Sequence, residues 1–528
     1  MLGLELVVVL GLAVLLCAVA ARRFRVAPPV LLLACGALLG FVPVLRRVHL
    51  PPEVVLLLFL PALLYWESLT TSLREIRSNL RVIVMLSTLL VIATAGAVAM
   101  VAHYLGLGWG PAWVLGAAVA PTDATAVGVL ARALPRRTLT VLRAESLVND
   151  GTALVIYALA VGITVGDEHL SLPHVGWLFV LAYGGGAVAG IVTAWLAVRV
   201  RRHLHDPLQE NVAIILTPFT AFLLAEAIHA SGVLAVVVSG LIMSQAGPRV
   251  GQASSRQQME AFWSLSVYLL NGSLFVLVGL ELQAAVRGLG SGALTRGLIA
   301  VGAVSVAVIG MRFVWLFTTP YLIRILDRRP QQRLRRSGPR ARVLSGVTGF
   351  RGAVSLAAAL AVPQTVSSGA PFPDRNIIIF VTAGVIVVTL VLQGLLLPGV
   401  VRWARLPRDT SLEQERHQAE IRATKEALAA IPRLADELGT DPEVAGRVRR
   451  EYEKHLRVLR ASDGPTEDER ALRYDQQYTA LRLAGIARKR ATVVRLRDER
   501  RIDDTVLRQV QARLDIEDVR LSGRELAE

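Results

Sequence analysis

The interpretation of the whole chain depends on one stretch, Arg143-Ala144-Glu145-Ser146-Leu147-Val148-Asn149-Asp150-Gly151. It opens an otherwise apolar run, 152–164, which predicts a transmembrane helix. A charged side chain at the centre of such a helix costs roughly 2.5–3.5 kcal/mol on insertion scales. Ionisable residues inside a membrane therefore usually face a bundle interior or a water-filled cavity, where they mark the path of an ion or a substrate.

Helical spacing divides the polar residues of this stretch into two groups. Residues four apart lie on one face of a helix, so Ser146 lies beside Asp150, and Glu145 lies beside Asn149. Glu145 and Asp150 are five apart and diverge around the helix. We therefore expect these two carboxylates to contact different partners.

The composition excludes an ordinary soluble protein. Of the 528 residues, 53% are hydrophobic. Apolar runs of about 20 residues, the length that crosses a ~30 Å hydrocarbon core as a helix, recur from residue 2 to residue 401. Short alternating strands are not evident in the sequence, which favours a helical bundle over a β-barrel.

We predict an all-α polytopic membrane protein with about thirteen transmembrane helices at residues 1–405 and a cytoplasmic helical tail at 406–528, for which a regulatory role is one interpretation. The predicted spans are 2–21, 28–45, 53–71, 82–104, 111–131, 140–165, 174–198, 209–229, 232–247, 262–283, 294–323, 342–363 and 376–401. The tail is predicted to form amphipathic helices at 411–431, 442–461, 467–500 and 502–521.

The net charge of +16 is carried mostly by arginines in alternate short loops and in the tail. This distribution is the positive-inside pattern of membrane proteins, so a lipid bilayer rather than nucleic acid is the expected partner. It places the N-terminus outside and the tail in the cytoplasm. The basic run Arg488-Lys489-Arg490 is read as a solvated face, with contact to anionic lipid or to an unidentified regulator of the tail left open.

The two cysteines and nine histidines show no disulfide or metal-ligand spacing, and no cofactor is expected.

Two spans contain a helix breaker and a charge near the middle. The fifth contains Ala120-Pro121-Thr122-Asp123-Ala124-Thr125, and the twelfth contains Gly346-Val347-Thr348-Gly349-Phe350-Arg351-Gly352. Broken helices in membranes are tolerated only where the freed backbone groups line a cavity or the protein interior. If one linker helix separates two six-helix halves, the two breaks occupy matching positions, as in transporters built from inverted repeats.

Four charged groups stand out inside the spans: Asp123, Glu145, Asp150 and Arg351. A carboxylate would offset the cost of burying the arginine, and we expect Glu145 and Arg351 to form a structural ion pair. That leaves Asp123 and Asp150 near the break in the fifth span.

The hydroxyls of Thr122 and Ser146 add neutral oxygens beside these two carboxylates. Oxygen ligands suit hard monovalent cations such as Na⁺ or Li⁺, by the logic that applies to hard divalent ions. A buried carboxylate that holds either a proton or a cation provides an exchange mechanism. The alternative is that these polar groups only hold helices together. Glu67, Glu226 and Glu281 stay open between helix-end roles and the ion path.

Three blocks of sequence resemble the monovalent cation:proton antiporter superfamily, in its NhaP/NHE-like branch of bacterial sodium/proton exchangers. They are Ala120-Pro121-Thr122-Asp123-Ala124-Thr125-Ala126-Val127, Glu145-Ser146-Leu147-Val148-Asn149-Asp150-Gly151 and Gly349-Phe350-Arg351-Gly352-Ala353-Val354-Ser355-Leu356. The resemblance covers nearly all of residues 1–405 and implies a secondary transporter rather than an enzyme.

The resemblance also implies roles for single residues. Asp150 would bind the ion and the proton, Asp123, Thr122 and Ser146 would lie at the ion, and Asn149 would be the neutral partner of Asp150. An Asn-Asp pair implies electroneutral one-for-one exchange. Some relatives carry an acidic ion ligand in the third span; that position matches Trp66 here, with Glu67 one residue later, so Glu67 is not expected to be a ligand.

The same resemblance implies crossing broken helices, a core domain that moves against a dimerisation scaffold, a homodimer and a place in the bacterial plasma membrane. A K⁺/H⁺ antiporter of the same family is the nearest alternative. An intramembrane aspartyl protease with Asp123 and Asp150 as its dyad lacks the Gly-x-Gly-Asp motif, and a passive cation channel lacks an evident selectivity-filter loop.

Overall fold

The computed structural model describes residues 2–24, 28–43, 55–123, 136–166, 172–287, 291–326, 338–405, 411–461 and 469–522. Within these ranges the regular structure is helical, apart from one isolated bridge between Thr365 and Pro371. The predicted all-α fold class is therefore confirmed. The chain divides into two compact units, Met1–Arg408 and Asp409–Glu528.

The first unit contains the apolar helices. They are α1 Leu2–Phe24, α2 Pro28–Leu39, α3 Leu60–Thr70, α4 Leu73–Val84, α5 Leu90–Tyr104, α6 Trp109–Val119, α7 Arg136–Val165, α8 Leu172–Val180, α9 Gly186–Arg201, α10 Pro207–Ala227, α11 Gly232–Val250, α12 Ala253–Arg287, α13 Ser291–Leu326, α14 Pro339–Val347, α15 Ala353–Leu360, α16 Arg375–Val388 and α17 Gly394–Ala404. Short π-helical turns precede α3 and join α4 to α5, α8 to α9 and α16 to α17, at Val55–Phe59, Met85–Leu89, Leu181–Gly185 and Thr389–Gln393.

Nine helical segments among the described residues are long and apolar enough to cross a membrane, judged by length and composition, and three shorter apolar helices accompany them. The described part of each predicted span coincides with a helix, with helices joined by a π-helical turn, or with a helix that ends or breaks at the predicted position. The exact number of crossings stays a prediction. Parts of the second, third and fifth predicted spans, at 44–45, 53–54 and 124–131, lie outside the described residues.

Both predicted interruptions are present. In the fifth span, α6 ends at Val119, and the residues from Ala120 to Asp123 are not helical. In the twelfth span, α14 ends at Val347 and α15 begins at Ala353. The two breaks meet, because the backbone N–H of Asp123 donates to the carbonyl of Phe350 at 2.8 Å. This hydrogen bond satisfies backbone groups that would otherwise be unpaired in an apolar interior.

Small residues let α2 and α12 approach to backbone contact. A Cβ added at Gly279 would overlap the carbonyl oxygen of Leu33 and lie 2.7 Å from the backbone nitrogen of Ala37. A Cβ added at Gly36 would likewise overlap the carbonyl of Val276. Close backbone approach at small residues is a common way for membrane helices to associate, since lipid provides no hydrophobic drive between them.

Gly279→Val is therefore expected to lower the yield of folded protein sharply. Overpacking a core destabilises a protein by about 1–3 kcal/mol where neighbouring side chains can move aside. At Gly279 the neighbouring atoms belong to the backbone and cannot move aside, so we expect a larger loss of stability. Size-exclusion chromatography of detergent-extracted protein and its thermal melting would measure the effect. Gly302→Val on α13 is the matched control, because no described atom lies within 4 Å of a Cβ placed there. Equal yields for the two variants would contradict this interpretation of the α2–α12 contact.

The second unit contains α18 Ser411–Leu438, α19 Pro442–Ala461, α20 Glu469–Asp498 and α21 Asp504–Ser522. The predicted first tail helix was too short, since α18 continues through Pro432. The basic run Arg488-Lys489-Arg490 lies at a solvated face, as predicted, and its last residue, the half-exposed Arg490, also has acidic partners. Its guanidinium forms ion pairs with Asp515 at 2.6 Å and Asp518 at 3.0 Å, because α20 and α21 pack on each other.

Candidate ion-binding site

A cavity of about 50 Å³ lies beside the two helix interruptions. The carboxylates of Glu67, Asp123 and Asp150 and the hydroxyls of Thr122, Ser146 and Ser355 line it, together with Asn271 and apolar side chains. A polar cavity of this size has room for a small ion or for water. The structure thus brings Asp123, Asp150, Thr122 and Ser146, which the sequence predicted as site residues, to one cavity.

Helix α7 supplies the polar residues of the stretch from Arg143 to Gly151. Glu145, Ser146, Asn149 and Asp150 are each at most 5% exposed. Ser146 and Asp150 face the cavity, whereas Glu145 and Asn149 face Thr122 in the interruption after α6. The spacing of four residues produces this division, as the sequence predicted.

The hydroxyl of Thr122 connects the two residues on the second face of α7. The Asn149 amide donates to Thr122 Oγ1 at 2.7 Å, and Thr122 Oγ1 donates to Glu145 Oε1 at 3.2 Å. The Asn149 amide also reaches the Thr122 carbonyl at 3.3 Å. Asn149 therefore fixes the interrupted segment in place through its amide nitrogen.

The predicted ion pair between Glu145 and Arg351 was wrong. Glu145 instead pairs with Arg312 on α13, which donates from Nη1 to Oε1 and from Nη2 to Oε2 at 3.2 Å. The Arg312 Nε donates to the Ser345 carbonyl at 2.9 Å. This bidentate geometry matches the planar fork of a guanidinium to a carboxylate, and both side chains are 2% exposed.

Arg351 has a different role, at the end of α6. It donates from Nε to the Val119 carbonyl at 3.0 Å, from Nη2 to the Ala120 carbonyl at 3.4 Å, and from Nη1 to the Gly349 carbonyl. The last carbonyls of a helix lack partners within the helix, and they give its C-terminus a partial negative charge. Arg351 therefore caps the interrupted helix with a cation, which explains why it does not need the Glu145 carboxylate.

Gly352 permits the close approach of the two interruptions. A Cβ added there would overlap the carboxylate of Asp123. Asp123 is thus held against the backbone at the start of α15, where the helix N-terminus favours negative charge.

Thr152 anchors α7 two residues after Asp150. Its hydroxyl donates to the Ser87 carbonyl at 2.8 Å and contacts the Tyr183 hydroxyl at 2.5 Å. Ser87 and Tyr183 both lie in π-helical turns, at Met85–Leu89 and Leu181–Gly185. Such turns often occur at functional sites, because they offset a side chain from the regular helix face.

Glu67 lines the cavity, although the sequence argument did not expect it to be a ligand. The neighbouring Trp66 stacks on Trp263, with ring centroids 6.4 Å apart and planes 17° apart. Successive residues on a helix point about 100° apart, so packing Trp66 against α12 turns Glu67 toward the cavity. The sequence did contain a sign of this role, because some relatives carry an acidic ion ligand in the third span. That position matches Trp66 here, and Glu67 follows one residue later, so Glu67 was not expected to be a ligand.

The arrangement can hold a proton or a small cation. Asp150, which is buried, and Asp123, which is half-buried, supply negative charge at the cavity wall, and the hydroxyls around them supply neutral oxygens. Oxygen ligands suit hard cations, while a buried carboxylate without a cation is neutralised by a proton.

Comparison with known sequences points to one class of transporter. The profile of a family described as "Sodium/hydrogen exchanger, transmembrane" matches residues 10–403. The chain is 46% identical over 521 residues to an uncharacterized Na⁺/H⁺ exchanger of Mycobacterium tuberculosis (strain ATCC 25618 / H37Rv), across 98% of this chain and 96% of that protein. It is 30% identical over 414 residues to the Na⁺/H⁺ antiporter ApNhaP of Aphanothece halophytica, across 77% of this chain and 75% of that protein.

Two further comparisons bear on the ion and on the fold. A sodium, potassium, lithium and rubidium/H⁺ antiporter of Bacillus subtilis (strain 168) is 29% identical over 384 residues, across 70% of this chain and 57% of that protein. The structure of the sodium proton antiporter MjNhaP1 from Methanocaldococcus jannaschii at pH 8 superposes with a TM-score of 0.59 at 19% identity. That match covers 76% of this chain and 99% of MjNhaP1, and it supports the fold.

Proposed function

Because the chain belongs to the sodium/hydrogen exchanger family, whose members are multi-pass membrane transporters and not enzymes, we propose that it exchanges Na⁺ or Li⁺ for H⁺ across the plasma membrane. The observation that carries the proposal is the meeting of Asp123 and Asp150 in one cavity beside two interrupted helices. Interrupted helices around ionisable groups are the usual construction of a transporter site.

The exchange follows from competition for one carboxylate. Asp150 is 4% exposed, and a buried charge is stable only when it is paired, coordinated or neutralised. A proton and a cation both neutralise the same negative charge, so binding one displaces the other. If the transporter changes its open side only when loaded, this competition couples the two flows. Asp123, Thr122 and Ser146 complete the proposed site, and the position of Glu67 in the cavity wall supports adding its carboxylate.

A stoichiometry of one cation for one proton is supported by Asn149. This side chain is neutral, and its amide nitrogen is engaged with Thr122. Asp150 is then the member of the Asn-Asp pair that binds the transported species, and the exchange is electroneutral.

Potassium is the second candidate ion. The Bacillus relative is named as an antiporter of sodium, potassium, lithium and rubidium, which shows that related chains include broad-specificity proteins. Cavity size and ligand number separate these ions, because each ion demands its own coordination distance. Membership in the exchanger family argues against the intramembrane protease and the passive channel.

The remaining proposals concern the movement of the core domain, the orientation of the chain in the membrane and the partner of the tail. The core domain, made of spans four to six and eleven to thirteen, moves against a scaffold that also forms a homodimer. The tail lies in the cytoplasm with the N-terminus outside, as the arginine distribution favours. A regulator or anionic lipid is the proposed partner of the tail.

Proton flux in proteoliposomes tests this function. A pH-sensitive dye inside the vesicles would report proton movement after addition of Na⁺, Li⁺, K⁺ or Ca²⁺. We expect saturable flux with Na⁺ and Li⁺ that does not change when a membrane potential is imposed with a gradient of a permeant anion such as thiocyanate, which the exchanger does not transport. The absence of flux with every cation would overturn the exchange, and flux driven by the imposed potential would overturn the one-for-one stoichiometry.

A further inference from the structure

Ser355, in the first turn of α15, is a buried hydroxyl in the wall of the cavity. It lines the same cavity as Asp123 and Asp150. The side chain is 1% exposed, and its Oγ has no hydrogen-bond partner among the described residues. A buried polar atom in this situation requires an explanation, since removing a hydroxyl from water without giving it a partner costs free energy.

The interruption before α15 explains why Ser355 cannot satisfy itself. Serine and threonine within a helix commonly donate to the carbonyl four residues earlier. Ser68, Thr94 and Thr389 do so in this chain, at 2.7, 2.7 and 2.9 Å. For Ser355 that carbonyl belongs to Arg351, which lies in the non-helical segment before Ala353. The break therefore leaves the hydroxyl available to whatever occupies the cavity.

Because Ser355 lies at a helix N-terminus, its oxygen can accept a cation on a side of the cavity where the backbone offers only N–H donors. The first turn of a helix presents N–H donors and a partial positive charge, which favour carboxylates and disfavour cations. The Ser355 oxygen offers lone pairs on this side of the cavity. Ser146 offers a second hydroxyl from α7 on another side.

We propose that Ser355 Oγ is a direct ligand of the transported monovalent cation and helps to set which ion is preferred. This inference rests on the proposed function and adds a ligand to it from α15, beyond the acidic residues and the hydroxyls of Thr122 and Ser146. A hard cation stripped of water is held by several oxygens, and their number and spacing separate ions of different radius. In the proton-loaded state the same hydroxyl is free to hydrogen-bond to the acidic groups of the cavity.

The test compares four versions of the full-length protein in proteoliposomes: wild type, Ser355→Ala, Ser355→Thr and Ser305→Ala. Ser305, on α13, is the matched control, because it is 3% exposed and its Oγ also lacks a partner among the described residues, but it does not line the cavity. Apparent KM and maximal rate would be measured with Na⁺, Li⁺ and K⁺.

We expect Ser355→Ala to raise the apparent KM for Na⁺ by about 3–10-fold, the effect of one lost polar contact, with a nearly unchanged maximal rate. The ratios of KM among the three ions should also shift, which a merely structural role would not produce. Ser355→Thr keeps the hydroxyl and should keep these ratios, and Ser305→Ala should match wild type.

A direct binding measurement makes the outcome independent of transport rates. Cation binding to the folded state raises the melting temperature, so thermal melting of detergent-solubilised protein over a range of NaCl concentrations, at constant ionic strength set with choline chloride, reports affinity. Ser355→Ala should need about 3–10-fold more Na⁺ for the same stabilisation. Wild-type affinities and ion ratios in Ser355→Ala, or an equal loss in Ser305→Ala, would overturn the assignment. Absence of cation-driven flux in wild type would overturn the proposed exchange itself, and this ligand with it.

Discussion

Asp150→Asn is expected to abolish cation-driven proton movement while leaving the yield of folded protein close to that of wild type. Asparagine has nearly the same shape as aspartate, and it does not introduce an unpaired charge into the buried cavity. It cannot, however, carry a negative charge for a cation to neutralise or accept a proton at neutral pH. Dye-monitored flux in proteoliposomes should fall to less than about 1% of wild type, since an ionisable group on the ion path is removed.

An aspartate outside the cavity provides the control for this change. Asp206 caps the N-terminus of α10 by accepting from the Leu208 N–H at 3.0 Å, and asparagine caps helices about as well. Asp206→Asn should therefore transport normally. Full Na⁺-driven proton movement by Asp150→Asn would refute Asp150 as the exchanging group, whereas loss of both flux and folded protein would show that its role is structural.

Arg312→Ala is expected to cause the largest loss of folded protein of any single change considered. It would leave the Glu145 carboxylate buried and without its guanidinium partner. Breaking a buried ion pair by removing one member typically destabilises a protein by about 3–5 kcal/mol. Glu145→Ala should cause a similar loss, because it strands Arg312. Fluorescence-detected size-exclusion chromatography after mild detergent extraction would measure the fraction of folded protein.

The double variant Glu145→Gln with Arg312→Met tests whether the loss comes from stranded charge. Replacing both members of a buried pair with uncharged groups of similar volume is often much less costly than removing one. We expect it to recover folded protein relative to either single alanine variant. Arg296→Ala, at an exposed position on the same helix, should behave as wild type. Normal yield of Arg312→Ala would contradict a structural role for the pair.

Local patterns predicted much of this architecture because they act over a few residues. Apolar runs and breakers placed the helices and the interruptions at Ala120–Asp123 and before Ala353. Four-residue spacing correctly separated Ser146 and Asp150 from Glu145 and Asn149. These features depend on the turn of a single helix, so sequence reasoning is well suited to them.

Contacts between distant helices were the part that sequence reasoning missed. Arg312 lies in a long apolar segment, Leu294–Thr319, where burying its charge is as costly as burying that of Arg351, but nothing local in the sequence marks it as the partner of Glu145. Pairing residues 167 positions apart requires the packing of whole helices. Ser355 and Asn271 were missed for a related reason, because a single serine or asparagine in a helix carries no sign of the cavity it faces.

The distance in sequence between Glu145 and Arg312 also has a consequence during synthesis. The ribosome adds the 167 intervening positions in roughly 8–33 s at about 5–20 residues per second. For that time the helix carrying Glu145 is already made, while the guanidinium that will neutralise it has not yet been polymerised. Arrival of α13 therefore completes the charge balance of a helix made long before, and a nascent chain that stalls earlier carries Glu145 without its guanidinium partner.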